Sequence, residues 1–491
     1  MISSPKRSAQ SLITASLLLL SGCSGAARVS DPMADAQSPT LESGKRVTAI
    51  EASVGMKERG EIERAAWREA MKKIAWSAAT YVGVRFAAID ALLEDDEADT
   101  RTMLALILPR EPQQPMVDRI SMLAMEHKWT ELTPALVRRW SVVSAGREGP
   151  GRIERRAIEA LHPNTPVEEV VFTEFARPAP KDNVLESRRR TDAWAVLCRI
   201  DEDGAKTKAL LARMTDDPSA QSDDVMSALV LGARDLKSTP RTGEQLEWLL
   251  DLSKEDNRAW WANAKGAIAS LSPEQSEAFE LRHVAPVLWA KERRSAWLSA
   301  SRDELLSELR SRLSGRKLHM RLAEQGDGAW GRRENLETNE KSLVWGDLLL
   351  ALIATEAITD ESVISELSAQ VAADRKDTST EHGGVLAWRN DSFSALSFPP
   401  RPAQRAGDNR FVASPELLAA GRTALLDYHF HARVADEKEY AGPSGGDRDY
   451  ARILGRSCLV FTSIRKGVLN ADYYQPNGAV LDLGEVMIVE E

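Results

Sequence analysis

Residues 423–431, TALLDYHFH, indicate a β-strand and decide the fold expected for the C-terminal part of the chain. Side chains alternate between the two faces of a strand with a period of two. Tyr428 and Phe430 therefore share one face. His429 and His431 then share the other face, with roughly 6.5–7 Å between them along the strand. One metal ion can bridge that span, so this strand predicts a pair of imidazole ligands.

Two further acidic groups flank this strand in the sequence. Asp447 closes the tetrapeptide SGGD (444–447), and Glu381 opens the tetrapeptide EHGG (381–384). A hydrolytic zinc site takes three protein ligands, leaves one position for water and needs a base for the proton of that water. Two histidines and one aspartate with a spare carboxylate supply those residue types. Taken alone, the SGGD sequence is more typical of a helix capping box than of a metal site, and that alternative stays open here.

These residues resemble the JAMM (MPN-type) metalloproteases, whose motif is a Glu, then H-x-H-P, then S-x-x-D. Residues 381–386, EHGGVL, are similar to the family's E-x-G-G-x-L strand. Residues 411–416, FVASPE, resemble its strand-then-helix segment, and residues 457–462 resemble its following buried strand. The resemblance runs from Glu381 to the end of the 491-residue chain, with the elements in the family's order.

The resemblance implies a role for each residue of the motif. His429, His431 and Asp447 would bind one zinc ion, Glu381 would be the general base, and Ser444 would hold the oxyanion or the water. The implied activity is hydrolysis of a peptide or isopeptide bond in a protein or peptide substrate.

Two departures from the family pattern leave a second class of function open. Ala432 stands where the family has proline, and residues 433–440 lengthen the stretch between the histidines and the SGGD sequence. The alternative is a catalytically inactive MPN-like lipoprotein scaffold that binds other proteins through its helical region.

The N-terminus indicates a bacterial lipoprotein. Lys6 and Arg7 precede an apolar run at 12–20, which has the length of a signal-peptide core and is too short to span a bilayer. The sequence LSGC that ends at Cys23 resembles the bacterial lipobox, which implies that residues 1–22 are removed and Cys23 is lipidated. We therefore expect a lipid-anchored protein of the cell envelope, with the outer membrane favoured because Ser24 and not Asp follows the cysteine. An ordinary secretory signal with a chance cysteine is the alternative.

The expected organisation is multidomain. Residues 23–50, rich in Ser, Ala, Pro and Asp, indicate a disordered tether that carries the lipidated Cys23. Residues 51–325 predict an all-α array of helical pairs, α-solenoid-like and similar to degenerate HEAT repeats, although no clean repeat period is visible. A linker at 326–341 then leads to an α/β domain, similar to the JAMM fold, at 342–491.

The composition excludes some classes of partner. The chain has 64 basic and 74 acidic residues and a net charge of −10, which argues against a nucleic-acid partner. Apart from Cys23 it contains only Cys198 and Cys458, which are too few for a disulfide scaffold and are expected to be buried thiols.

Overall fold

The computed structural model describes residues 31–142, 151–178, 184–201, 204–215, 222–319, 334–405, 407–408 and 410–489. The predicted signal peptide and Cys23 lie outside these residues. The chain divides into two compact units, one up to Ile120 and the other from Ser121 onward.

The first unit is helical throughout its described residues. Its helices are α1 (Pro32–Gln37), α2 (Ser43–Glu58), α3 (Arg64–Trp76), α4 (Val82–Asp95) and α5 (Glu97–Ile107), and α6 (Gln114–Glu126) contains the boundary between the units. Its core includes Trp67, whose indole N–H donates to Ser53 Oγ at 2.9 Å. The buried guanidinium of Arg85 is neutralised by Glu111 at 2.5 Å, as a buried charge requires.

The described part of the expected tether is folded, which corrects the prediction of a disordered segment at 23–50. Asp31 caps α1 by accepting hydrogen bonds from the backbone of Met33 at 3.1 Å and Ala34 at 3.2 Å, and Pro32 occupies the first helical position. Arg46 on α2 then donates to the carbonyl of Ala36 at 3.0 Å. Asp and Pro are depleted in helix interiors but favoured at the first positions of helices. Residue types that are typical of disordered segments therefore form a helix cap here.

The second unit begins with helices and ends with a sheet. Its helices are α7 (Thr133–Ser141), α8 (Ile153–Leu161), α9 (Val167–Ala176), α10 (Val184–Ile200), α11 (Ala205–Thr215), α12 (Asp224–Asp235), α13 (Gly243–Leu252), α14 (Arg258–Ile268), α15 (Pro273–Glu277), α16 (Val284–Arg293), α17 (Ser295–Ser299), α18 (Arg302–Leu313), α19 (Leu336–Asn339), α20 (Trp345–Ala357), α21 (Glu361–Asp374), α22 (Pro415–Ala420) and α23 (Gly445–Leu454). Among the described residues, every helix is too short or too polar to traverse a lipid bilayer.

Six strands form one mixed sheet in the order β2-β1-β3-β4-β5-β6. They are β1 (Gly383–Arg389), β2 (Ser392–Ser397), β3 (Leu426–His431), β4 (Cys458–Arg465), β5 (Val468–Tyr474) and β6 (Val480–Met487). β3 and β4 are parallel, and the other neighbours are antiparallel. The strand expected from TALLDYHFH is thus confirmed as β3, in the interior of the sheet between β1 and β4.

Helices before the sheet are joined to it by buried polar contacts. Arg282 lies 2.5 Å from Asp347 on α20 and donates to Ser457, next to β4, at 2.8 Å. On α13, Gln245 donates to the carbonyl of Gly455 at 2.8 Å. The helical part that begins at Ser121 and the sheet are therefore one compact unit.

The linker expected at 326–341 lies partly outside the described residues. Its described part contains α19 and packs on the last strand: Asn339 donates to the carbonyl of Val480 at 3.0 Å, and the carbonyl of Glu334 accepts from the amide of Asp482 at 2.8 Å. These residues belong to the folded unit and do not act as a linker. The coarse prediction, helices followed by an α/β region, matches the structure, while the resemblance to HEAT repeats and to the JAMM fold stays a prediction.

Candidate metal centre

β3 places its two histidines side by side. The Nε2 atoms of His429 and His431 are 3.3 Å apart, because the two rings lean toward each other with centroids 5.0 Å apart. His429 is buried, and β3 pairs it with Gly383 on β1 and with Val460 on β4. The interior position in the sheet fixes the backbone from which both imidazoles project.

Asp447 reaches the histidines from the first turn of α23. Its Oδ1 lies 3.2 Å from His429 Nε2, and its Oδ2 lies 3.5 Å from His431 Nε2. The capping box is present too: Asp447 Oδ2 accepts from the amide of Ser444 at 2.7 Å, and Ser444 Oγ accepts from the amide of Asp447 at 3.3 Å. The cap and the cluster, which the sequence posed as alternatives, coexist because the cap orients the carboxylate toward the imidazoles.

Glu381, in the segment before β1, is the fourth residue of the cluster. Ligand atoms of Glu381, His429 and His431 all lie within 4.8 Å of one another. The glycines that follow Glu381 allow this approach: a Cβ on Gly383 would lie 2.5 Å from the carbonyl oxygen of Tyr428, and one on Gly384 would lie 2.0 Å from that of Leu396. A larger residue at Gly383 would push β1 away from β3, and one at Gly384 would push β1 away from β2.

The second nitrogen of each imidazole faces a protein oxygen. His431 Nδ1 lies 3.1 Å from the carbonyl oxygen of Tyr440, and His429 Nδ1 lies 3.5 Å from the hydroxyl of Tyr474. A carbonyl only accepts, so when the His431 ring is neutral its proton lies on Nδ1, and the Nε2 lone pair is then available to a metal ion. This outer arrangement is the one that metal-binding histidines use.

The charges of the cluster compensate one another. Burial raises the pKa of the Asp447 carboxyl, but the imidazoles of His429 and His431 outweigh it and hold that pKa well below its usual range. Burial lowers the pKa of His431, and its contacts with Asp447 overcome this and raise it to about 9. Burial raises the pKa of Glu381, opposed by the two imidazoles. These carboxylates carry enough negative charge to keep a proton on a neighbouring imidazole. The same negative charge can hold a divalent cation in place of that proton.

The donor set therefore fits a zinc ion. Two imidazole nitrogens and a carboxylate are the ligands of catalytic zinc sites, and their atoms already converge within hydrogen-bond distances. The same donors admit other divalent transition metals, which geometry alone does not separate.

A cavity of about 710 Å³ opens at this cluster. Glu381, His431, Ser444 and Asp447 line its polar end. The remainder of the lining includes the apolar side chains Phe411, Val412, Leu418, Ile453 and Leu454. The cluster is therefore reached from a pocket large enough for several side chains of a substrate.

The insert at 433–440 forms one wall of this pocket. The amide of Glu437 donates to the carbonyl of Ser463 at 2.6 Å, and Ser463 Oγ donates to the carbonyl of Ala435 at 3.2 Å. Arg433, Glu437 and Tyr440 line the cavity, and the carbonyl of Tyr440 is the partner of His431. The insert thus supports His431 as well as shaping the pocket.

Ala432, at the position where the JAMM motif has proline, is also held in place. It is buried, and its carbonyl accepts from Arg375 Nε at 3.1 Å. Arg375 Nη2 also donates to Ser463 Oγ at 2.8 Å, which ties this point of the chain to β4. A proline at this position would restrict the backbone through its own ring. Here hydrogen bonds hold the backbone instead.

Some residues of the site could not be found from the sequence. Tyr474 and the carbonyl of Tyr440 touch the histidines, and Phe411 stacks on His429 with ring centroids 5.2 Å apart. The alternation of side chains along β5 predicts which face of the sheet Tyr474 lies on, but it does not predict the register of Tyr474 against β3. The position of a backbone carbonyl cannot be recognised from residue types.

His382, beside Glu381, does not join the cluster. Its Nε2 lies 3.1 Å from Asp377, and its amide donates to Asp374 at 2.7 Å. Its contacts are those of a structural histidine.

No family model, no curated protein and no solved structure matches this chain. The likeness to the JAMM metalloproteases therefore rests on the motif residues alone, and the geometry of the cluster is the basis for a functional proposal.

Proposed function

We propose that this chain is a zinc metallopeptidase or isopeptidase of JAMM type that hydrolyses a peptide or isopeptide bond in a protein substrate. We also propose that Cys23 anchors it by lipid in the bacterial envelope. One observation carries the catalytic proposal: Glu381, His429, His431 and Asp447, which are up to 66 positions apart in the sequence, form one cluster. Glu381, His431 and Asp447 of this cluster line one pocket.

The proposed roles follow from position. His429, His431 and Asp447 hold the ion, whose chemistry when bound is to act as a Lewis acid and to lower the pKa of a bound water to about 7. Glu381 is the remaining carboxylate within reach, so it takes the proton of the attacking water and returns it to the leaving amine. Burial, which raises the pKa of Glu381, brings this carboxyl closer to the pH at which it can both accept and return a proton.

Ser444 is the proposed oxyanion donor. Its Oγ already accepts from the amide of Asp447, so its hydroxyl proton is available to a substrate oxygen in the pocket. A donor that is held by a helix cap needs little reorganisation when charge develops on that oxygen.

The test combines metal content with turnover. Protein purified without chelator should contain close to one zinc per chain by elemental analysis and should cleave members of a fluorogenic peptide or isopeptide library. Removal of the metal by a chelator should abolish cleavage, and added zinc should restore it. Full zinc occupancy without cleavage of any substrate would support the alternative, the inactive scaffold. Absence of any transition metal would reject the metal site itself.

A further inference from the structure

The buried His429 has one polar neighbour for its outer nitrogen. His429 is 2% exposed, and among the residues that the structure describes the Tyr474 hydroxyl, at 3.5 Å, is the polar group that faces its Nδ1. Tyr474 is itself 1% exposed, so water cannot readily replace it. The two rings meet edge to face, with centroids 6.3 Å apart.

The sheet register explains how Tyr474 comes to this place. β3 pairs Asp427 with Cys458, and β4 pairs Cys458 with Tyr474, so the three residues form one row across the sheet. His429 lies two residues further along β3 and therefore projects from the same face. Tyr474 is packed in a core cluster with Cys458, Val460 and Ala451, which leaves its hydroxyl end directed toward the histidine.

Chemistry decides the direction of this hydrogen bond. If His429 Nε2 binds a metal, its lone pair is used there, and the proton of the neutral ring must lie on Nδ1. Nδ1 is then a donor, and the Tyr474 oxygen is its acceptor. Tyr474 lies directly opposite Cys458 in the register of β4 and β5.

We propose that Tyr474 is a positioning residue of the metal centre: its hydroxyl accepts the Nδ1 proton of His429 and thereby fixes the tautomer and ring orientation in which Nε2 binds the ion. This inference rests on the proposed metal site. His431 has the backbone carbonyl of Tyr440 for the same purpose, so the two ligands are oriented by a side chain and by the main chain.

The test removes one hydroxyl. Tyr474→Phe should weaken zinc binding about 10- to 100-fold, as the loss of an outer hydrogen bond to a metal-binding histidine does. Affinity is measured by competition with a chromophoric chelator, and the visible spectrum of the cobalt-loaded protein should shift because the ligand ring is no longer held. The matched control is Tyr428→Phe: that buried hydroxyl donates to Gln370 at 2.6 Å on the other face of the sheet, and its loss should leave zinc affinity and cobalt spectrum unchanged.

Each outcome has a definite meaning. Equal zinc affinity of Tyr474→Phe and the wild type would overturn the inference while leaving the metal site intact. Equal loss in both variants would also overturn it, because the effect would then come from the sheet and not from the contact with His429. A wild type that binds no metal rejects the proposed function as well as this inference.

A second measurement needs no variant and decides the matter if Tyr474→Phe does not fold. In zinc-loaded wild type with labelled histidine and tyrosine, NMR should show a proton on His429 Nδ1 that is close to the Tyr474 ring and protected from exchange. We expect the distance to the hydroxyl to contract from 3.5 Å into the usual range of about 2.7–3.2 Å. A rapidly exchanging Nδ1 proton, or none, would overturn the proposal.

Discussion

Asp472 and Asp482 are direct partners across β5 and β6, and both carboxyl groups are buried. Asn470 donates to Asp472 Oδ2 at 2.8 Å, and the amide of Gly484 donates to Asp482 Oδ1 at 2.8 Å. Burial first, and then the neighbouring Asp482 and Glu334, raise the pKa of Asp472 well above its usual range. Burying two neighbouring negative charges at this point of the sheet would raise the free energy of the folded state. One carboxyl is therefore expected to keep its proton.

The pair predicts a stability that depends on pH. A carboxyl whose pKa is higher in the folded than in the unfolded protein contributes most at low pH, and that contribution is lost as pH rises through the folded pKa. Asp472→Asn removes the titration and can turn its amide oxygen toward Asn470. We therefore expect this variant to melt at a higher temperature than the wild type on the alkaline side and to show a flatter melting profile with pH. The exposed Asp449→Asn is the control, and an unchanged profile in Asp472→Asn would contradict the argument.

The contact between Arg282 and Asp347 predicts that the stability of the sheet depends on the helices that precede it. Arg282→Ala leaves the buried Asp347 without its guanidinium, and breaking such a pair typically costs about 3–5 kcal/mol of unfolding free energy. Denaturant unfolding of the full chain measures this. Arg258→Ala, at an exposed pair with Glu255, is the matched control and should leave the midpoint unchanged.

The same contact bears on the fragment 336–491. The sequence pattern alone predicts that this fragment folds by itself, because alternating patterns replace helical ones after Glu381. The structure shows that it would expose Asp347 and Gln475, both of which contact Arg282. We therefore expect circular dichroism of the isolated fragment to show a less stable sheet than that of the fragment 121–491. Equal melting temperatures would contradict this.

The resemblance of residues 20–23 to a lipobox predicts the location of the protein. Cys23→Ala should release the chain from the membrane fraction into the soluble fraction, because stable anchoring requires acyl chains at this residue. Labelled palmitate should be incorporated by the wild type and by the control Cys198→Ala but not by Cys23→Ala. A wild type recovered entirely in the soluble fraction and without label would reject the anchor.

Local patterns predicted the parts of the site that lie on single elements. Alternation in residues 423–431 placed His429 and His431 on one face, and the SGGD sequence placed Asp447 in a helix cap. The contact of Asp447 with the histidines depends on how α23 sits over the sheet, and the sequence supplied it only through a resemblance. Tyr474 was missed because its contact depends on strand register, which tertiary packing sets. The composition of residues 23–50 predicts disorder, whereas the described part is folded from Asp31 onward because Asp31 caps a helix.

The proposed metal ligands predict that single substitutions remove the zinc ion. His429→Ala and Asp447→Ala each remove one of the converging donors and should abolish stoichiometric zinc binding by elemental analysis. His382→Gln is the matched control, since His382 lies one residue from Glu381 but pairs with Asp377. Retention of one zinc per chain in His429→Ala would show that the ion is held elsewhere.

Glu381 gives the sharpest prediction, because two roles for it lead to opposite results. If it is the general base, Glu381→Gln should keep zinc bound yet lose about 10²- to 10⁴-fold in peptidase turnover, since an amide still hydrogen-bonds water but cannot accept its proton. If it is only a half-buried residue before β1, the substitution should change stability by no more than about 0.5 kcal/mol and leave turnover intact. Zinc content, melting temperature and turnover measured on this one variant separate the two roles. A Gln variant that is fully active would remove Glu381 from the mechanism even if His429, His431 and Asp447 were confirmed as ligands.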